Sequence, residues 1–272
     1  MKSILLFASI VFTALPASAA GLYTHGHGDV RAYCEGGQLR MRYQLDYSSL
    51  VDGAEVGTFE SGPVSFALSS LVTQIPEPPR LFPDGLLDAQ PELSVLGVGV
   101  NEPLWYIPEV QEFDRPWLGF SSEELNLTDW SHPVSHNPGE LKLDLVSVSG
   151  PAGSYFTMMY SVDPGNTTFI HFATFDGIDG NDTYKLGSPT DSGFPAGMHS
   201  HVNWFFTQPG LYDVTMRFSG DHVTDGYSEV TGTVTFAVVP EPGCATLALS
   251  GGLLLLRRRS SSSRARWFSR RH

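Results

Sequence analysis

Apolar and polar residues alternate along four stretches of the chain. They are Leu39-Arg40-Met41-Arg42-Tyr43-Gln44-Leu45, Leu141 to Val148, Tyr212 to Phe218 and Val230 to Val238. A period of two sends successive side chains to opposite faces, so each stretch predicts a half-buried strand with one wet face. Helical periodicity is nearly absent. Clusters of Gly, Pro, Asn and Asp, such as Asp163-Pro164-Gly165-Asn166, predict the intervening turns. Thr73 to Pro91 is Pro-rich and poorly periodic and predicts a long loop. Ser121 to Asn126 predicts one or two helical turns.

Many short strands joined by such turns imply an all-β fold, an Ig-like β-sandwich built as one large unit or two small ones. A soft boundary at Gly150-Pro151 would divide an N-terminal β region (20–149) from a C-terminal sandwich region (150–238). Gln208-Pro209-Gly210-Leu211-Tyr212 places a Tyr at a strand start after a Pro-Gly turn, as in the tyrosine corner of Ig-like sandwiches.

The two ends follow different rules. Lys2 precedes the apolar run Ile4 to Leu15, then Pro16 and Ala17-Ser18-Ala19, the order of a cleavable signal peptide over 1–19. The run is too short for a spanning helix. At the other end Pro240-Glu241-Pro242 precedes a small and apolar stretch, Cys244 to Leu256, and Arg257-Arg258-Arg259 closes it. Basic residues directly after the apolar stretch stay on the cytoplasmic side, which leaves the body outside. This order resembles the PEP-CTERM sorting signal, over residues 239–259. The resemblance implies a short C-terminal hydrophobic sorting helix that holds the chain in the membrane until an exosortase-type enzyme processes it. The Ser/Arg-rich tail 260–272 is longer than that pattern. Signal peptidase and the exosortase-type enzyme are thus the expected processing partners, and the expected location is the cell surface, outer envelope or extracellular space.

Setting the ends aside changes the charge. The whole chain carries −13, but between positions 20 and 239 only eight basic residues stand against 28 of the 29 acids, a net charge of −20. Such a body repels phosphate backbones, so no nucleic-acid partner is expected, and it favours cations. Of two cysteines, Cys34 and Cys244, the second lies in the sorting segment. Its removal would leave no intramolecular disulfide possible, and no CxxC metal or redox motif exists.

The candidate chemistry lies in two H-x-H pairs, His25-Gly26-His27 and His199-Ser200-His201. Residues i and i+2 of a strand share a face, so each pair can aim two imidazoles at one point. Together they form a candidate Zn²⁺ or Cu²⁺ site, with Asp29 and Asn203 as supporting residues around it. Incidental or structural histidines are the competing reading. His132, His136, His171 and His222 are isolated. The stretch His199-x-His201-x-Asn203-Trp204-x-Phe206-x-x-Pro209-Gly210-x-Tyr212 resembles the hallmark of the choice-of-anchor M domain. His27-Gly28-Asp29-Val30 and Leu104-Trp105-Tyr106-Ile107-Pro108 resemble further pieces of it. The resemblance implies a surface module over residues 22–238 and is compatible with metal capture.

Asp176-Gly177-Ile178-Asp179-Gly180-Asn181-Asp182 is acidic and Gly-rich but lacks EF-hand spacing, so an ordinary turn is preferred over a Ca²⁺ site. Hydrolase elbows, H-E-x-x-H and phosphate loops are absent. The expected protein is therefore a non-enzymatic, exported surface or extracellular-matrix module that binds a divalent transition metal. The alternative is a structural or adhesive module without metal, binding extracellular polysaccharide. A secreted glycan hydrolase ranks last.

Overall fold

The computed structural model describes residues 20–76, 80–81, 94, 96–99, 102–160, 169–185 and 193–239. The expected signal peptide (1–19), all but the first residue of the expected sorting segment (239–259), the tail 260–272 and the turn expected at 163–166 lie outside them. No helix among the described residues is long and apolar enough to cross a membrane.

In chain order the strands are β1 (Gly21–Glu35), β2 (Gln38–Leu45), β3 (Leu50–Val51), β4 (Ala54–Glu55), β5 (Val64–Phe66), β6 (Leu71–Ile75), β7 (Arg80–Leu81), β8 (Pro103–Ile107) and β9 (Pro116–Ser121). They continue as β10 (Trp130–Ser131), β11 (Glu140–Ser149), β12 (Phe156–Tyr160), β13 (Phe169–Ala173), β14 (Phe194–Pro195), β15 (His199–His201), β16 (Asn203–Phe206), β17 (Gly210–His222) and β18 (Gly226–Val238). The protein is all-β. A larger sheet follows the path β14-β11-β17-β18-β6-β1-β2-β5, with β3, β4, β9, β10 and β15 branching from it. A five-stranded sheet has the order β13-β12-β16-β8-β7.

All four alternating stretches are strands: β2, β11, β17 and β18. The Pro-rich loop expected from Thr73 is corrected at its start. Leu71, Thr73 and Ile75 of β6 are buried in alternation, and β6 runs parallel to both β1 and β18. Its β-branched residues fit a pleated sheet, and the prolines begin only at Pro76. The helical turn expected at Ser121–Asn126 is corrected too. Ser121 ends β9, and the Ser122 carbonyl accepts the Leu125 amide (2.8 Å) in a tight turn. Ladders cross position 150, since β11 pairs with β17 and β6 with β18.

Aromatic rings join the sheets. Trp204 of β16 packs 5.2 Å from both Phe120 of β9 and Phe236 of β18, and its indole N–H donates to the Leu118 carbonyl at 2.9 Å. Phe206 sits 5.0 Å from Phe236 and 4.9 Å from Tyr212. Rings at such separations add edge and stacking interactions to the area they bury. Tyr212 is buried and its hydroxyl donates to the Gln208 carbonyl at 2.9 Å.

The acidic Asp176–Asp182 loop is held by its own chain. Asp182 accepts the amides of Ala173 (2.7 Å) and Asp179 (2.8 Å). The Lys185 ammonium donates to the carbonyls of Ile170 (2.6 Å) and Asn181 (2.8 Å). Beside it, the buried His171 Nδ1 accepts the Lys185 amide at 3.0 Å, and its ring stacks on Tyr184 at 4.2 Å. Burial, with a smaller contribution from Lys185, holds the His171 imidazole down at about 3.

An unfolded imidazole takes a proton near pH 6.5, whereas folded His171 does not until about 3. Acidification between those values therefore favours the unfolded chain, by up to about 1.4 kcal/mol per pH unit. His171→Asn keeps an acceptor for the Lys185 amide without this titration. Denaturant unfolding from pH 7 to 4 is expected to show a shallower loss of stability in the variant than in the wild type.

Candidate metal centre

β9 lies between β1, which runs parallel to it, and β15, which runs antiparallel. In register, His27 faces Trp117, Asp29 faces Gly119, and Gly119 faces His201 on the other side. Residues two apart share a face, so His27 and Asp29 lie on one side of the Trp117-Gly119-Ser121 row while His201 and His199 lie on the other. Gly119 is the hinge of this arrangement. A Cβ there would stand 2.6 Å from the Ser200 carbonyl, 2.9 Å from Asp29 Oδ1 and 3.0 Å from His201 Cε1. The missing side chain is the space into which the flanking residues converge.

Their convergence is close. The Nε2 atoms of His27, His199 and His201 are separated by 3.4 Å (27–199), 3.0 Å (27–201) and 2.8 Å (199–201). Asp29 Oδ2 is 3.9 Å from His27 Nε2, and Oδ1 is 4.0 Å from His199 Nε2. All four ligand atoms lie within 4.8 Å of one another, a group that could hold a metal ion. At Zn–N distances of about 2.0–2.1 Å, tetrahedral ligands stand roughly 3.3 Å apart, close to the spacing of these nitrogens.

His25 is not in this group, and Asp29 replaces it. The H-x-H rule works for β15 but fails in β1. Gly26 has φ +94°, a left-handed conformation, and the β1–β3 ladder shifts register between Tyr23 and His25. The kink breaks strict alternation, so His25 pairs opposite Leu50 while His27 faces β9. The operative pair in β1 is His27-x-Asp29. Asn203 binds Glu109, with Nδ2 donating to its carboxylate (2.8 Å) and Oδ1 accepting its amide (3.1 Å). The Glu109 carbonyl in turn accepts the Trp117 indole N–H at 2.8 Å, and Trp117 stacks on His201 at 3.7 Å and 12°. Asn203 thus supports the cluster through Glu109 and Trp117.

Asp46, Trp117 and Gly119 were absent from the sequence expectations. Asp46 Oδ2 lies 3.0 Å from His27 Nδ1. With Nδ1–H donated there, His27 Nε2 turns a lone pair toward the cluster, as a carboxylate behind a metal-binding histidine does. Asp46 follows β2, and the β1–β2 pairing brings it beside His27, a contact no local spacing reveals.

The electrostatics favour a cation. Burial, reinforced by His27 and His199, holds His201 down at about 3, while the Leu118 backbone acts in the opposite direction. His27 is also lowered, chiefly by burial, with Asp46 opposing. Both imidazoles are therefore neutral at pH 7 and offer lone pairs. Asp29 is 3 % exposed, its Oδ1 is buried without a hydrogen-bond donor, and burial raises its carboxyl to about 7 against the pull of Arg31. Arg31 itself is drawn off to Glu123 (2.7 Å) and Glu124 (3.2 Å). A buried carboxylate with an unfilled acceptor is costly, and the neutral imidazoles of His27 and His201 add no positive charge to offset it.

No protein-family model, curated protein or solved structure matches the chain. The arrangement of side chains is therefore the evidence for what the site does.

Gly119→Ala tests the hinge. Its Cβ would meet the Ser200 backbone, which cannot swing away as a side chain can. Overpacking of this kind costs about 1–3 kcal/mol. Thermal unfolding of the variant is expected at a lower temperature than that of the wild type.

Proposed function

We propose that this is an exported surface protein whose β body holds one divalent transition metal, Zn²⁺ or Cu²⁺, through His27, Asp29, His199 and His201. The convergence of three Nε2 atoms beside the buried, donorless Oδ1 of Asp29 carries this reading. Imidazole with one carboxylate suits borderline metals. Asp46 and Trp117 orient the rings, and Gly119 leaves room for the ion. The bound cation supplies the positive charge that the strand neighbours of Asp29 do not.

The location rests on the terminal motifs. The Ala17-Ser18-Ala19 ending supports cleavage by signal peptidase, and Pro240-Glu241-Pro242 with Arg257-Arg258-Arg259 supports PEP-CTERM-type sorting by an exosortase. We read the body as a non-enzymatic choice-of-anchor M-like module. Ring packing between the sheets and the Tyr212–Gln208 tie support an Ig-like sandwich. At the surface such a module would capture or carry the metal.

Calorimetric titration of the purified protein with Zn²⁺ is expected to show one site per chain, lost in a His199→Ala, His201→Ala double variant. Absence of binding, or binding unchanged in the double variant, would refute the proposal. Asp29→Asn separates function from stability. It removes a buried, poorly compensated carboxylate, so the metal-free variant is expected to unfold at the same temperature as the wild type or higher, while its Zn²⁺ affinity falls. Residues placed for binding rather than for folding show this opposition.

A further inference from the structure

Exposure within the four-residue cluster is uneven. His27 is largely covered and the Asp29 side chain is closed off, whereas the His199 side chain is 34 % exposed. His199 and His201 form part of the wall of a cleft of about 590 Å³. That volume falls within the range of small-molecule sites, roughly 300–1,000 Å³. A metal held by the four side chains could be reached by a ligand from the cleft.

Much of the remaining wall is aromatic. Trp117, Tyr160, Phe169, Tyr184 and Phe194 line it, with Met198 at its side. Tyr184 is fixed by a 2.8 Å hydrogen bond to Ser200 and by stacking on His171, and Trp117 by its bond to Glu109 and its stacking on His201. Two of these rings are thus held in place before any ligand arrives. Tyr160 and Met198 are 40 % and 49 % exposed at the cleft, so a ligand there can bury both.

The charged side chains on the walls are already engaged. The Lys185 ammonium is surrounded by backbone carbonyls, and the Glu109 carboxylate accepts from Asn203. A charged ligand group would find its counterpart in the metal instead. A divalent ion with three neutral imidazoles and one carboxylate retains a single positive charge, which one anionic donor group neutralises. A bound zinc would take one oxygen of such a group as a fifth ligand.

We infer that the cleft receives a small aromatic molecule bearing one anionic group, which binds the metal through a single oxygen while its ring lies among Trp117, Tyr160, Phe169 and Tyr184. The inference rests on the metal reading above and adds the class of ligand.

The test uses purified protein and two hydroxamates with the same oxygen-donor group. Benzohydroxamate carries a ring and acetohydroxamate a methyl. A first titration with Zn²⁺ alone establishes loading. Calorimetry of the loaded protein is then expected to show benzohydroxamate binding roughly tenfold or more tighter than acetohydroxamate, the gain of burying a ring. Metal-free protein should bind neither at the same concentrations. A Tyr160→Ala, Met198→Ala variant alters only half-exposed side chains. It should keep the Zn²⁺ affinity of the wild type and lose most of the preference for the ring. Zn²⁺ uptake with equal affinities for the two hydroxamates, or an undiminished preference in the variant, overturns the ligand assignment and leaves the metal reading standing. Failure to take up Zn²⁺ overturns both.

Discussion

Three strands can bring four ligand atoms to one point here because the middle strand offers no side chain where they meet. β9 presents Gly119 between Asp29 of β1 and His201 of β15, and any Cβ at that position would press on both and on the Ser200 backbone. The neighbours of this gap take their roles from it. Trp117, two residues earlier on the same face, walls one side by stacking on His201, and Ser121, two residues later, continues the row. The parallel pairing of β1 with β9 sets which residues of β1 reach the gap, and it selects His27 and Asp29.

The same gap concentrates an electrostatic imbalance. Burial keeps His27 and His201 neutral and pushes the Asp29 carboxyl up to about 7, while Arg31, the nearest cation on β1, is paired with Glu123 and Glu124. A site tuned for stability would place a donor on Asp29 Oδ1 or an apolar residue in its stead. The arrangement instead keeps lone pairs and a carboxylate directed at a common point, which a divalent ion would satisfy. The strongly acidic body works in the same direction at longer range, since its net −20 charge draws cations toward the surface.

The strands with one wet face were legible from alternation alone, as β2, β11, β17 and β18 show. Strands covered on both sides were not. β9 is buried at five of its six residues, so Pro116–Ser121 carries little polar alternation, and its Gly and Pro read as breakers. β6 was hidden by the prolines that follow it. At the site, His199-Ser200-His201 was legible because β15 is regular. His25-Gly26-His27 misled because Gly26 adopts a left-handed conformation, which no count of residues discloses. Asp29 was marked as a supporting residue and stands within the ligand group. Asp46 and Gly119 enter only through pairings between strands distant in sequence.

X-ray absorption at the zinc edge of the loaded protein tests the arrangement most directly, since it reads the ligands of the ion themselves. A first shell of nitrogen and oxygen at about 2.0–2.1 Å is expected, with the outer-shell scattering of three imidazole rings. A shell of oxygen alone, or one with a single imidazole, would contradict the joint site on β1 and β15.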